Sequence, residues 1–200
     1  MTDVNQSVSR RTRNMDEKRS RLLEAALALF SKHGVEHVTT SSIAKTAGVA
    51  TGTLFHHFGN KEALVQALYL DIKADLARHI KPVHSAEIEM DELQTVWMNY
   101  LQWCASFPQQ LRFVIQYSHS SAVNQVQREA VWKDLFCFVL SVIQKGQKQG
   151  FFAVIPEAMV IEVIEAMATS MGQYFMYHSD APDALKIHSY KMLYASLAVK

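Results

Sequence analysis

Between Gly34 and Gly59 the chain holds two short helix-patterned segments, neither long enough to stand alone. The first begins at Thr39 or Thr40, places Ile43, Ala44 and Ala47 on one face, and is broken by Gly48-Val49. The second, TGTLFHHF, covers residues 51–58. Isolated helices shorter than about 12–15 residues are marginal in water, so each segment has to be held by its neighbours. Leu54 and Phe58 lie four apart and share one helical face. Turned inward, they can pack on Ala44, Ala47 and the preceding helix, which leaves Thr51, Thr53, His56 and His57 facing outward.

The remainder reads as helix too. Seven Gly and four Pro in 200 residues are few for an all-β or loop-rich fold, while Ala, Leu, Met, Lys, Glu and Gln are plentiful. About nine helices are expected. Asn14 with Glu17 makes a capping pair for the first, whose apolar positions Leu22, Leu23, Ala26, Leu29 and Phe30 recur up to a stop at Gly34. Asn60 caps a fourth, from Lys61 to Ile80, with Leu64, Ala67, Leu68, Ile72 and Leu76 along one side and Pro82 behind it. The pattern then predicts helices near 87–105, 108–119, 122–149, 156–178 and 183–198, two of them opened by Pro108 and Pro156. Three regions result: a flexible basic arm over 1–14, a compact helical domain over 15–62, and a larger helical domain over 63–200.

Charge divides the same way. Residues 1–62 carry nine Lys/Arg against six Asp/Glu; the rest carries eleven against thirteen. The excess sits in Arg10, Arg11, Arg13, Lys18, Arg19 and Arg21, so a polyanion would meet the N-terminal third. Cys104 and Cys137 lie among apolar and aromatic residues and read as reduced, buried thiols. The N-terminus is polar and basic with no apolar stretch behind it, so no signal peptide is expected. The longest apolar run, Leu135 to Ile143, is about half of the roughly 20 residues that cross a bilayer. The expectation is a cytoplasmic, nucleoid-associated bacterial protein without a membrane partner.

A short capped helix, a glycine turn and a second short helix form a helix-turn-helix unit, whose second helix enters the major groove of DNA. The residue types suit that task. Threonine hydroxyls bond base edges or phosphates and their methyls touch thymine methyls; Gly52 allows close backbone approach. Thr39, Thr40, Ser41 and Ser42 offer hydroxyls and helix-start N–H groups to a phosphate. Lys61 adds a neutralising charge.

The run RLLEAALALFSKHGVEHVTTSSIAKTAGVATGTLFHHFGNKEALVQAL resembles the N-terminal DNA-binding domain of the TetR family of transcriptional regulators. The resemblance is carried by Ala25, Phe30, Gly34, Thr39, Ile43, Ala44, Ala47, Gly48, Val49, Gly52, Leu54, Phe58, Lys61 and Leu64. It covers the first third of the chain. It implies an all-α protein with a three-helix DNA-binding domain ahead of a larger ligand-binding and dimerisation domain. The DNA-contacting set it points to is Thr39, Thr40, Ser41, Ser42, Thr51, Gly52, Thr53, Phe55, His56, His57 and Lys61. Two positions depart from the family pattern. Ala50 stands where a Ser-like cap usually precedes the recognition helix, a loss of about 1 kcal/mol, and Phe55 stands where Tyr is frequent. Arg10, Arg11 and Arg13 could add minor-groove contacts or belong to a tail.

The implied activity is that of a sequence-specific regulator, a repressor released from an inverted-repeat operator by a small molecule. The alternative is a DNA-binding protein without an inducer, as an activator or an architectural or division-control factor. Trp97, Tyr100, Trp103, Phe113, Gln116, Tyr117, Phe136, Met167, Met171 and Tyr174 either line a pocket for a small apolar or aromatic effector or form ordinary core. Asn99, Arg112, His119 and Gln173 are further polar candidates. The last two helices carry more apolar surface than the stripe of about 100° that one buried face needs, and the resemblance implies a homodimer through them. A two-fold dimer suits a palindrome with half-sites about 34–36 Å apart. No cofactor, metal or catalytic residue is expected. His56 and His57 are adjacent and diverge by about 100°, and nucleophile-elbow, P-loop and dinucleotide motifs are lacking.

Overall fold

The computed structural model describes residues 3–82, 90–118 and 125–199, with side chains from Met15 onward except those of Asp91, Ser118 and Gln125. Ten α-helices account for nearly all of the described chain: α1 (Asp3–His33), α2 (Thr40–Thr46), α3 (Thr51–Phe58), α4 (Lys61–Ile80), α5 (Leu93–Ser106), α6 (Pro108–Ser118), α7 (Gln125–Leu135), α8 (Cys137–Lys148), α9 (Glu157–Tyr177) and α10 (Asp183–Leu197). A 3-10 turn, Met90–Glu92, precedes α5. The pairing of Phe152 with Ala198 is an isolated antiparallel bridge, so the fold is all-α as expected.

Three boundaries differ from the sequence reading. The first helix does not start at Asn14; its backbone is helical from Asp3, and no Gly or Pro occurs before Gly34 to stop it. The expected helix over 87–105 begins at Leu93, and residues 87–89 lie outside the described chain. The expected single helix over 122–149 is two, which accounts for ten helices rather than nine. At Phe136 the backbone leaves helical geometry, with φ −114° and ψ 19°. Tertiary packing explains the break. The Phe136 ring is buried, 5.2 Å from the Trp132 ring and 5.5 Å from the Lys73 ammonium. Meanwhile Trp132 donates its indole N–H to Glu165 on α9, at 2.9 Å. These anchors outweigh the small preference for uninterrupted helix.

The chain forms two compact units, Met1–Asp71 with Arg112–Tyr117, and Ile72–Leu111 with Ser118–Lys200. The sequence had suggested a boundary at residue 62. In the first unit Leu22, Ala26 and Phe30 of α1, Ile43 and Ala44 of α2, Leu54 of α3 and Leu64 of α4 are fully buried. Phe30 stacks on Phe113 at 5.9 Å, Phe113 on Tyr117 at 5.8 Å, and Tyr117 meets Tyr69 at 5.0 Å. This aromatic chain draws 112–117 into the first unit.

In the second unit α5 is the central rod, burying Val96, Trp97, Tyr100, Leu101, Trp103 and Cys104. Its polar atoms are satisfied by the helices around it. Trp97 donates to the Ser189 hydroxyl at 2.9 Å, Tyr100 to the Ala168 carbonyl at 2.6 Å, and Trp103 to Asp75 at 3.1 Å. α5 and α9 approach closely because Gly172 is buried against α5: a Cβ there would lie 2.9 Å from Cys104 Sγ and collide with the Tyr100 hydroxyl. Gly172→Val should therefore destabilise this unit by about 1–3 kcal/mol, read as a lower melting temperature in thermal circular dichroism, whereas Gly52→Ala, where a Cβ meets open space, should change it little.

Candidate nucleic-acid interface

The candidate residues lie on α2, α3 and the start of α4, and their geometry is set by how two short helices are held. Thr39 caps α2: its hydroxyl oxygen accepts the Ser42 N–H at 3.1 Å. The Ser42 hydroxyl donates back to the Thr39 carbonyl at 2.7 Å. These two hydroxyls shape the helix start before they meet any partner, though Thr39 retains its own O–H proton for an external acceptor. α2 ends in a paired turn. The Gly48 N–H reaches the Lys45 carbonyl at 3.1 Å and the Val49 N–H reaches that of Ala44 at 3.0 Å. This needs a left-handed residue, which Gly48 supplies with φ +63°.

α3 has no side-chain cap at Ala50, as the sequence implied. Burial holds it instead: Leu54 is 0% and Phe58 9% exposed. On the other side Gly52, Phe55 and His56 are exposed, while Thr51, Thr53 and His57 are half-buried. Thr40, Ser42 and Lys61 are also half-buried, and Ser41 and Thr39 exposed. Phe55 presents nearly half of its surface to solvent, available for apolar contact with a sugar or a thymine methyl. Asn60 caps α4, its side-chain oxygen accepting the Ala63 N–H at 2.7 Å.

Two arginines on α1 have positioning roles that the sequence reading saw only as charge. Arg21 donates to the carbonyls of Ala47 and, at 3.3 Å, Gly48, tying α1 to the turn between α2 and α3. Arg19 places its guanidinium 5.6 Å from the centre of the Phe58 ring, a cation–π contact at the end of α3. The available signal was the carbonyls that any helix end leaves unpaired, but only the folded chain shows which cation reaches them. The side chains of Arg10, Arg11 and Arg13 lie outside the described ones, as does His119.

The residues expected to line a pocket belong to both compact units. Phe113, Gln116 and Tyr117 belong to the first unit, the first and last as core and Gln116 exposed. Trp97, Tyr100, Trp103 and Phe136 are core of the second unit; Met167 and Met171 are half-buried there. Tyr174 is on the surface, stacked on His178 at 4.3 Å. A cleft of about 600 Å³ does exist in the second unit, but it lies elsewhere, between the end of α4 and the α7–α8 break. Cys137 is exposed, against the expectation of two buried thiols; Cys104 is buried. The break at Phe136 is what turns it out. Among the described residues no helix is long and apolar enough to cross a membrane.

With this geometry in place, the resemblances have a structural meaning. Residues 22–68, which are α1 from Leu22 through the first turns of α4, match the family profile described as bacterial regulatory proteins, TetR family. A crystal structure of a TetR-family transcription regulator from Shewanella sp. PV-4 superposes with a TM-score of 0.86 at 31% identity, covering 92% of this chain and 99% of that one. The chain belongs to the TetR family. Two curated relatives agree. The HTH-type transcriptional regulator TtgR of Pseudomonas putida is 40% identical over 43% of this chain and 40% of its own length. The HTH-type transcriptional repressor KstR2 of Mycobacterium tuberculosis is 29% identical over 69% of this chain and 70% of its own. The match to TtgR thus spans less than half of that relative.

His57 carries a pH dependence. Burial first, then the positive charges of His56, Arg19 and Lys18, hold it below its usual 6.5. The unfolded chain therefore takes up this proton more readily than the folded one, so its contribution to stability is lost as pH falls through 6.5 toward the folded value. Thermal melts between pH 7.5 and 5.5 should show wild type losing more stability than His57→Gln; equal losses would remove this histidine from the account.

Proposed function

We propose that the protein is a sequence-specific DNA-binding transcriptional regulator that acts as a homodimer on an inverted-repeat operator, as a repressor whose DNA affinity is lowered by a ligand in the C-terminal unit. The observation that carries the DNA-binding part is the orientation of α3. With Leu54 and Phe58 buried, the same helix necessarily turns Gly52, Phe55 and His56 to solvent. The cap of α2 and Lys61 flank it as phosphate-facing groups.

α10 supports the dimer. Of its fifteen residues only Ser189 and Leu197 are buried within the chain, while Leu185 and Met192 are about half exposed. On α9, Met159, Tyr174 and Tyr177 are exposed as well. Isolated surface apolar residues are ordinary, but a concentration on two consecutive helices marks an interface. A second subunit supplies the second recognition helix that a palindrome requires. α4 and α6 both run from one unit into the other, so a shift of either helix caused by a ligand would reach the DNA-binding unit. Ligand and operator would then weaken each other reciprocally, by about 1–3 kcal/mol.

Replacing Thr53 and His56 together by Ala should weaken binding to the cognate operator by about 1–3 kcal/mol per lost base contact and relax sequence preference, measured by titrating labelled promoter fragments. Unchanged affinity and preference would reject the assigned reading face. Separately, Leu185→Glu with Met192→Glu should shift the protein from dimer to monomer in sedimentation equilibrium and cost operator affinity; a dimer of undiminished strength would place the interface elsewhere.

A further inference from the structure

We propose that Phe55 is a specificity residue for thymine: its ring packs against the C5-methyl group of a thymine in the major groove, so that each operator half-site depends on that methyl. The inference rests on the DNA-binding reading of α3 and names the base chemistry that this face selects. Gly52, Phe55 and His56 are the exposed residues of the helix. At about 100° per residue they form one arc, turned away from the buried pair Leu54 and Phe58. Thr51, half-buried, lies four residues before Phe55 and is its neighbour on the helix surface.

A phenyl ring on a face that meets a polyanion restricts what that face can bind. The ring has no polar handle, so neither a phosphate nor a hydrogen-bonding base edge gains from it. Of the groups that the four base pairs display in the major groove, the thymine C5-methyl is the apolar one. Phe55 keeps 46% of its surface in water, area that docking on a methyl would remove from it. The next phenyl ring of the helix is already committed. Phe58 is buried, with the Arg19 guanidinium 5.6 Å from its centre and the His57 ring 6.1 Å away. Gly52 decides how near the Phe55 ring can come. A Cβ at Gly52 would meet open space, so on the same arc, three residues before Phe55, no side chain holds the backbone away from the groove. His56, the next residue and also exposed, brings ring nitrogens able to bond a base edge or a phosphate. The arc therefore offers an apolar reader and a polar one side by side.

Deoxyuridine tests this without touching the protein, because uracil keeps every hydrogen-bonding group of thymine and loses only the methyl. Duplexes bound by the full chain are selected from a random-sequence library. The enriched operator is then resynthesised with deoxyuridine at one thymine position of each half-site at a time, and affinities are measured by titrating the labelled duplexes. One position should stand out, with affinity falling about fourfold per methyl removed and about fifteenfold when both half-sites are changed, the worth of one buried CH₂ at each. Phe55→Ala should bind the thymine operator more weakly and no longer distinguish uracil at that position, and Phe55→Leu should keep part of the distinction, so that ring and methyl are coupled in a double-mutant cycle. Indifference to uracil at every position would overturn the proposal. So would full sensitivity retained in Phe55→Ala, which would give the methyl to another side chain, or an equal loss by that variant on both DNAs, which would place the ring on a sugar. If Phe55→Ala melts below wild type, the Phe55→Leu cycle and the uracil scan on wild type decide. A library that yields no enriched sequence would overturn this proposal together with the reading of α3; an enriched operator indifferent to its methyls would overturn this proposal alone.

Discussion

The burial of Leu54 and Phe58 is the interaction on which the rest depends. α3 is eight residues long and starts without a side-chain cap, so neither length nor capping explains its stability. It exists because two apolar side chains on one face are removed from water, each contributing on the order of 1.5–3 kcal/mol. The same burial decides which residues face outward, because a helix committed to one face has no freedom left in the other. Stability and orientation are thus one event: the contact that makes the segment helical also aims it.

That contact requires a framework already in place. α2 is only seven residues, but its capped start and glycine turn give α3 a defined angle of departure. Arg21 and Arg19 extend the control to α1, one through the turn carbonyls and the other through the Phe58 ring. Positive charge on α1 therefore fixes geometry at short range as well as adding to the basic balance of this part of the chain. The stacked rings of Phe30, Phe113, Tyr117 and Tyr69 serve the other side of the same unit. They make part of α6 a structural member of the DNA-binding unit.

The second unit follows a different logic. α5 is nearly all core, with two tryptophans and a tyrosine whose polar atoms are satisfied within the unit. Such residues are well suited to rigid packing. One cleft lies where a helix is interrupted. The interruption at Phe136 costs helix hydrogen bonds and gains a buried ring, an indole–carboxylate bond and a cation–π contact. It also exposes Cys137 and brings lysines of separate helices to one rim.

The amino-acid sequence by itself determined the all-α class, the limits of α2, α3, α4, α6, α9 and α10 to within a residue or two, a cap at Thr39 or Thr40 and one at Asn60, and the inward turn of Leu54 and Phe58. These are local properties: period, cap chemistry, and the demand for left-handed backbone at Gly48 are all written within a few residues of where they act. Tertiary structure alone decided the break at Phe136, the placement of 112–117 with the first unit, the anchoring roles of Arg19 and Arg21, and the polar partners of the buried aromatic residues of α5. Each of those depends on partners 26 or more residues away, such as Arg21 with Ala47 and Trp132 with Glu165. No periodicity in the chain encodes a contact of that range, because it is settled by competition among faces that only meet once the helices have packed.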